Sequence, residues 1–103
     1  MLEKDIEKRL GKEVKKLGCL YYKFVSPGNS GVPDRIIVTP SGVVIFVELK
    51  TEVGKRTALQ WAQINKLRGH NQRVVTVYGV FGVEKLIDLL KRHRYDLIPT
   101  ELR

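Results

Sequence analysis

A single α/β domain over residues 1–103 is the fold class this sequence predicts, and three observations predict it. Three stretches carry apolar residues at helical spacing, and four shorter runs are β-branched or aromatic, in the order α-β-β-β-α-β-α. A chain of 103 residues removes only ~60–65% of its unfolded surface from water, enough for one core and no second. Its 43% apolar and 29% charged residues are the balance of a folded globular domain, neither disordered nor fibrous.

Each element has its own signal. Ile6, Leu10, Val14 and Leu17 form one apolar stripe, with Lys8, Lys12, Lys15 and Lys16 on other faces. That predicts a helix from about Glu3 to Leu17, stopped by Gly18. Cys19 to Val25 is short, aromatic and apolar, and reads as a strand. Ser26 to Val32 (SPGNSGV) is dense in turn formers and reads as a loop. Ile36–Thr39 and Val43–Lys50 are β-branched runs separated by Pro40-Ser41-Gly42, the pattern of a hairpin. A second helix is expected over Thr57–Arg68, with Leu59, Ala62, Ile64 and Leu67 as its apolar positions. Arg73–Val77 reads as a strand, and Val83–Arg94 as a closing helix with Leu86, Ile87, Leu89 and Leu90 inside. No repeat or linker interrupts the order.

Composition narrows the function. Nineteen Lys and Arg against eleven Asp and Glu leave a net charge of +8, and a small basic domain attracts polyanions, nucleic acid first among them. The lone cysteine, Cys19, excludes an internal disulfide and a Cys-rich zinc site. The longest apolar run, Val43–Val47, is far short of the ~20 residues of a membrane span. The first residues, Met1-Leu2-Glu3-Lys4-Asp5, are charged where a secretory signal is apolar. No membrane partner is expected, and the expected compartment is the cytoplasm.

The hairpin supplies the sharpest clue. Val43-Val44-Ile45-Phe46-Val47 is apolar on both faces, as in a central strand covered on both sides, yet it runs into Glu48-Leu49-Lys50. A three-residue turn with Pro first and Gly left-handed sets Thr39 opposite Val43, Ile37 opposite Ile45 and Asp34 opposite Glu48. Directly opposed residues share a face, with Cβ atoms ~4.5–5.5 Å apart. Two carboxylates so placed repel, and a proton or a cation must relieve them. Lys50 points to the same side, ~6–7 Å along the strand. Such a set suits hydrolysis of a phosphodiester at a hard divalent ion; it also suits a structural ion-pair cluster. A register slip of one residue would part the acids.

Gly31-Val32-Pro33-Asp34 followed by Glu48-Leu49-Lys50 resembles the PD-(D/E)xK nuclease signature. The fuller stretch SPGNSGVPDR, then VVIFVELKT, with Gln60 on the next helix, resembles the virus-type replication-repair nuclease (VRR-NUC) family from Glu3 to about Leu90. The resemblance implies a restriction-endonuclease-like core, α-β-β-β-α-β with a closing helix. It implies a Mg²⁺- or Mn²⁺-dependent endonuclease acting on DNA, with branched or four-way junctions as substrates and a homodimer as the working form. A bacterial or phage-encoded protein of the host cytoplasm would fit.

Carried onto this sequence, the resemblance makes Asp34 and Glu48 metal ligands, with the Leu49 backbone carbonyl beside them, and Lys50 the catalytic lysine. It also implies a first-helix glutamate as a further metal ligand. Glu3 is preferred over Glu7 because it lies closer to the apolar direction of the helix and fits the family spacing. Gln60 is expected at the rim of the site. Lys23, Ser26, Asn29, Lys55 and Arg56 are candidate phosphate contacts, and Lys66, Arg68 and Arg73 add to a basic second half. His70 and His93 lack partners at metal-ligand spacing, while Cys19 and Trp61 are expected in the core or an interface. The alternative to an enzyme is a basic module that binds nucleic acid without cutting it.

Overall fold

The hydrophobic patterns recur in space in the expected order, with two additions at the end of the chain. The computed structural model describes residues Met1–Arg103. Its elements are α1 (Glu3–Lys16), β1 (Leu20–Lys23), β2 (Arg35–Val38), β3 (Val44–Lys50), α2 (Ala58–Gly69), β4 (Arg73–Tyr78), α3 (Gly79–Lys91), a 3₁₀ turn (Tyr95–Leu97) and β5 (Glu101–Leu102). The sheet order is β1-β2-β3-β4-β5. The first two pairings are antiparallel and the last two parallel.

Period-two alternation sorts the strand residues between the two faces. Ile37, Ile45, Val47, Leu49, Val75 and Val77 share one face. There they meet Ile6, Leu10 and Val14 of α1 and Val83, Leu86 and Leu90 of α3 in a single core. Cys19 is buried at its edge. Helices α1 and α3 touch each other over this face, so the apolar stripe read in each is the surface they bury.

The opposite face departs from expectation. Strand β3 is central, but on this side Val44 and Phe46 are only half-buried, and Glu48 is its one fully covered residue. Helix α2 lies against the neighbouring strand β4, and its one fully buried residue is Ile64. Leu59, expected in the core, is 59% exposed. Helix α2 therefore carries no real apolar stripe, and it depends more than its neighbours on its ends. Its start is a capping box: the Gln60 amide donates to Thr57 Oγ1 at 3.2 Å, and the Thr57 amide donates to Gln60 Oε1 at 2.9 Å. Thr57 is thus the cap and not the first helical residue. Thr57→Ala is expected to cost about 1 kcal/mol, read as a fall in Tm of roughly 4–8 °C per kcal/mol for a domain of this size.

Helix α3 begins at Gly79, four residues before the expected start at Val83. Strand β5 has only two residues, paired parallel with β4, too short to leave a periodic trace in sequence.

Candidate active site

Turn chemistry decides what meets at the end of β2 and β3. The Gly42 amide donates to the Thr39 carbonyl at 2.9 Å, and the Thr39 amide to the Val43 carbonyl at 2.9 Å. Gly42 has φ 90°. The register follows the three-residue loop: Ile37 pairs with Ile45 and Arg35 with Val47. One step further, Asp34 stands level with Glu48. There the ladder changes partner, because the Leu49 amide donates to Asp34 Oδ2 at 2.9 Å. That bond fixes the Asp34 carboxylate against β3.

Glu48 is 1% exposed, and its Oε2 is buried with no hydrogen-bond partner. Loss of hydration, then the Asp34 carboxylate within hydrogen-bonding reach, push its pKa up to about 9, with Lys50 opposing. Two carboxyls that close cannot both ionise unaided. Near neutral pH Glu48 keeps its proton unless a cation replaces it. On β4, Thr76 is the register partner of Glu48, and its buried Oγ1 also lacks a partner.

The two first-helix glutamates have different surroundings. Glu7 forms an ion pair with Arg35. The Arg35 guanidinium also lies over the Tyr21 ring, 4.8 Å from its centroid, and the Tyr21 hydroxyl donates to the Glu7 carbonyl at 2.8 Å. Glu3 stays unpaired. Partial loss of hydration raises its pKa first, the charge of Asp34 second, while Lys50 opposes. Glu3 is thus the helix acid that feels the acidic pair. The acids do not close into a ready-made cage: no group of three or more His, Cys, Asp or Glu side chains is gathered at metal-binding spacing.

Other candidate residues divide. Lys50 leaves β3 on the Glu48 side and lies against Gly54. The side chain of Gln60 is committed to the capping box of α2. The α2 start does meet the loop that leads to Asp34, because Gly31 packs on it: a Cβ there would lie 2.5 Å from the Leu59 carbonyl carbon and oxygen. Ser26 and Asn29 bond each other, side chain to side chain at 2.9 Å and main chain at 3.0 Å, closing a turn about Pro27. Lys23 and Lys55 are exposed. Arg56 is not: its side chain is 6% exposed, paired with Glu101 and stacked 4.0 Å from the centroid of the Trp61 ring. Arg68 likewise turns inward, donating to the Val74 carbonyl at 2.8 Å. The expected basic track of the second half loses both. No composition signal marks an arginine whose partner lies 45 residues away.

The side-chain atoms that Asp34 and Glu48 bring together are all oxygens, and one of them is buried without a donor. A hard divalent cation requires that donor set, so the residues present fit Mg²⁺ or Mn²⁺.

No family model matches the chain. "Putative nuclease p44" of Acyrthosiphon pisum secondary endosymbiont phage 1 is 44% identical over 75 residues, which are 73% of this chain and 81% of the relative. A solved VRR_NUC domain matches with a TM-score of 0.74 at 33% identity, over 88% of this chain and 95% of its own. The chain belongs to the VRR-NUC family. Its five-stranded mixed sheet and three helices are a VRR-NUC nuclease fold. No helix is long and apolar enough to cross a membrane.

Proposed function

We propose that this VRR-NUC domain is a Mg²⁺- or Mn²⁺-dependent DNA endonuclease that acts on branched substrates such as four-way junctions. The observation that carries the reading is the buried, partnerless Oε2 of Glu48 held against Asp34 by a hairpin of fixed register.

Asp34, Glu48 and the Leu49 carbonyl would hold the ion. When bound, it supplies Lewis-acid polarisation of the scissile phosphate and a more acidic water. The Leu49 amide keeps Asp34 aimed at that position, so the carboxylate needs no reorganisation when substrate arrives. Lys50, on the same side of β3 as Glu48, orients the attacking water and takes part in its deprotonation. Glu3 adds negative charge from the helix side. Water attacks phosphorus, the P–O3′ bond breaks, and the 3′ oxygen leaves with a proton from solvent.

A homodimer suits the substrate, since two strands cut symmetrically need two sites about a twofold axis. Leu20 and Tyr22, 48% and 56% exposed on the edge strand β1, offer apolar surface for it. The phage relative fits a phage-encoded enzyme working in the host cytoplasm.

The test is a labelled four-way junction and its matched linear duplex, incubated with the protein in Mg²⁺, Mn²⁺ or EDTA. Products are expected with either metal, none in EDTA, and faster on the junction. Binding without products across a screen of metals and pH values would make the domain a binding module instead. Sedimentation at the mass of one chain with junction present would remove the dimer.

A further inference from the structure

A row of unpaired lysines lies outside the acidic pair. Lys4, Lys8, Lys12 and Lys15 recur along α1 at spacings of four, four and three residues, so they project from one side of the helix over about 16 Å. All four are exposed, and none is paired with a carboxylate. They wall a groove of about 250 Å³ whose floor is Gly11, Tyr21 and the Glu7–Arg35 pair. The one acid of that floor is neutralised by Arg35, so the groove presents lysine charge alone. The floor is also rigid: α1 sits so close on β1 that the Tyr21 ring fills the space a Cβ of Gly11 would need.

One end of this groove neighbours the acidic pair along the chain: Lys4 follows Glu3, the helix acid that feels the charge of Asp34, and Arg35, the first residue of β2, follows Asp34, with alternation turning those two side chains to opposite faces of the sheet. The apolar stripe of α1, Ile6, Leu10 and Val14, is 0% exposed, so the helix has no apolar face to lay into a lipid surface. Regularly spaced ammonium groups beside a phosphodiester-cutting site match a polyanion with a regular charge repeat.

We propose that the outer face of α1 is a rail for the phosphate backbone: Lys4, Lys8, Lys12 and Lys15 hold one strand of the duplex arm that leads away from Asp34 and Glu48. This rests on the nuclease reading for its substrate, and it moves the DNA path from the second half of the chain to the first helix.

The test compares three full-length proteins: wild type, Lys8→Gln/Lys12→Gln, and Lys85→Gln/Lys91→Gln on α3, which removes the same charge elsewhere. Glutamine keeps helix propensity close to that of lysine. Binding to a fluorescent duplex is measured by polarisation in EDTA from 50 to 200 mM salt. The rail pair is expected to bind roughly tenfold more weakly, with a log K against log salt slope smaller by about 0.9 per lysine. The α3 pair is expected to stay near wild type. Equal losses in both pairs would reduce the effect to net charge and overturn the rail; so would an unchanged slope in the rail pair. Loss of binding to phosphatidylserine vesicles with duplex binding intact would reassign the surface to membranes and overturn it too. Cleavage by the same proteins in Mn²⁺ separates the two readings. A wild type that never cuts but shows the rail-dependent slope defeats the nuclease and keeps the rail. A rail pair that binds and cuts as wild type does the reverse.

Discussion

Glu48→Gln is expected to abolish cleavage and, in the absence of metal, to make the protein more stable. Loss of activity should reach about 10³-fold or more, beyond the ~10²–10³ that removal of one electrostatic stabiliser costs. The gain in stability has a separate origin. Glu48 is buried beside Asp34 with an unpartnered oxygen, and such a group carries a penalty of about 1–3 kcal/mol. The amide of Gln can donate to Asp34 without taking up a proton. The pH profile identifies the cause. With its folded pKa raised to about 9 from an ordinary 4.5, Glu48 binds more protons folded than unfolded between those values. Its contribution to stability is therefore complete below the unfolded pKa and is lost as pH rises toward 9. Wild-type Tm in EDTA should fall across that window more steeply than the Tm of the Gln variant. Parallel profiles would show that Glu48 holds no proton in the folded state. By the same linkage an ion that displaces that proton binds more tightly as pH rises, so Mn²⁺ should raise Tm more at pH 8 than at pH 6.

Gly31→Ala is expected to be among the most damaging substitutions of a surface loop. Gly31 has φ 91°, costly for any residue with a Cβ by about 1–2 kcal/mol. Its missing Cβ also faces main-chain atoms of Leu59 and the Gln60 amide at 2.5–2.8 Å, which cannot rotate aside. Gly28, in the same loop with φ 81°, has open space about it. Gly28→Ala thus isolates the conformational cost, and the excess at Gly31 measures the contact with α2. A total loss above about 2 kcal/mol at Gly31, with cleavage falling because the segment leading to Asp34 shifts, is the expected result. Equal Tm for the two variants would mean that this contact contributes nothing.

The acidic pair was legible because every relation it needs is local. A hairpin turn converts the chemistry of Pro40-Ser41-Gly42 into a register, and register places Asp34 level with Glu48 whatever the rest of the chain does. The lysines of α1 were equally visible, but only as lying off its apolar stripe, since a helix pattern gives the side of a helix and not what lies beneath it. The inward turn of Arg56 was invisible, because its partners Glu101 and Trp61 are brought to it by the packing of β5 and α2. The fifth strand escaped for a related reason: two residues carry no period, and their place is made by pairing with β4.

Short-range rules alone thus determined the order of helices and strands, the hairpin register and the meeting of two carboxylates. They act over a few residues, where backbone geometry leaves few choices. Tertiary structure decided which glutamate of α1 stays free: Arg35, arriving on β2 from 28 positions away, captures Glu7 and leaves Glu3 to the field of Asp34. It also decided that Glu48 is sealed from water, since burial is set by elements distant in the chain closing over it, and dehydration beside a second acid creates the demand for a proton or a cation.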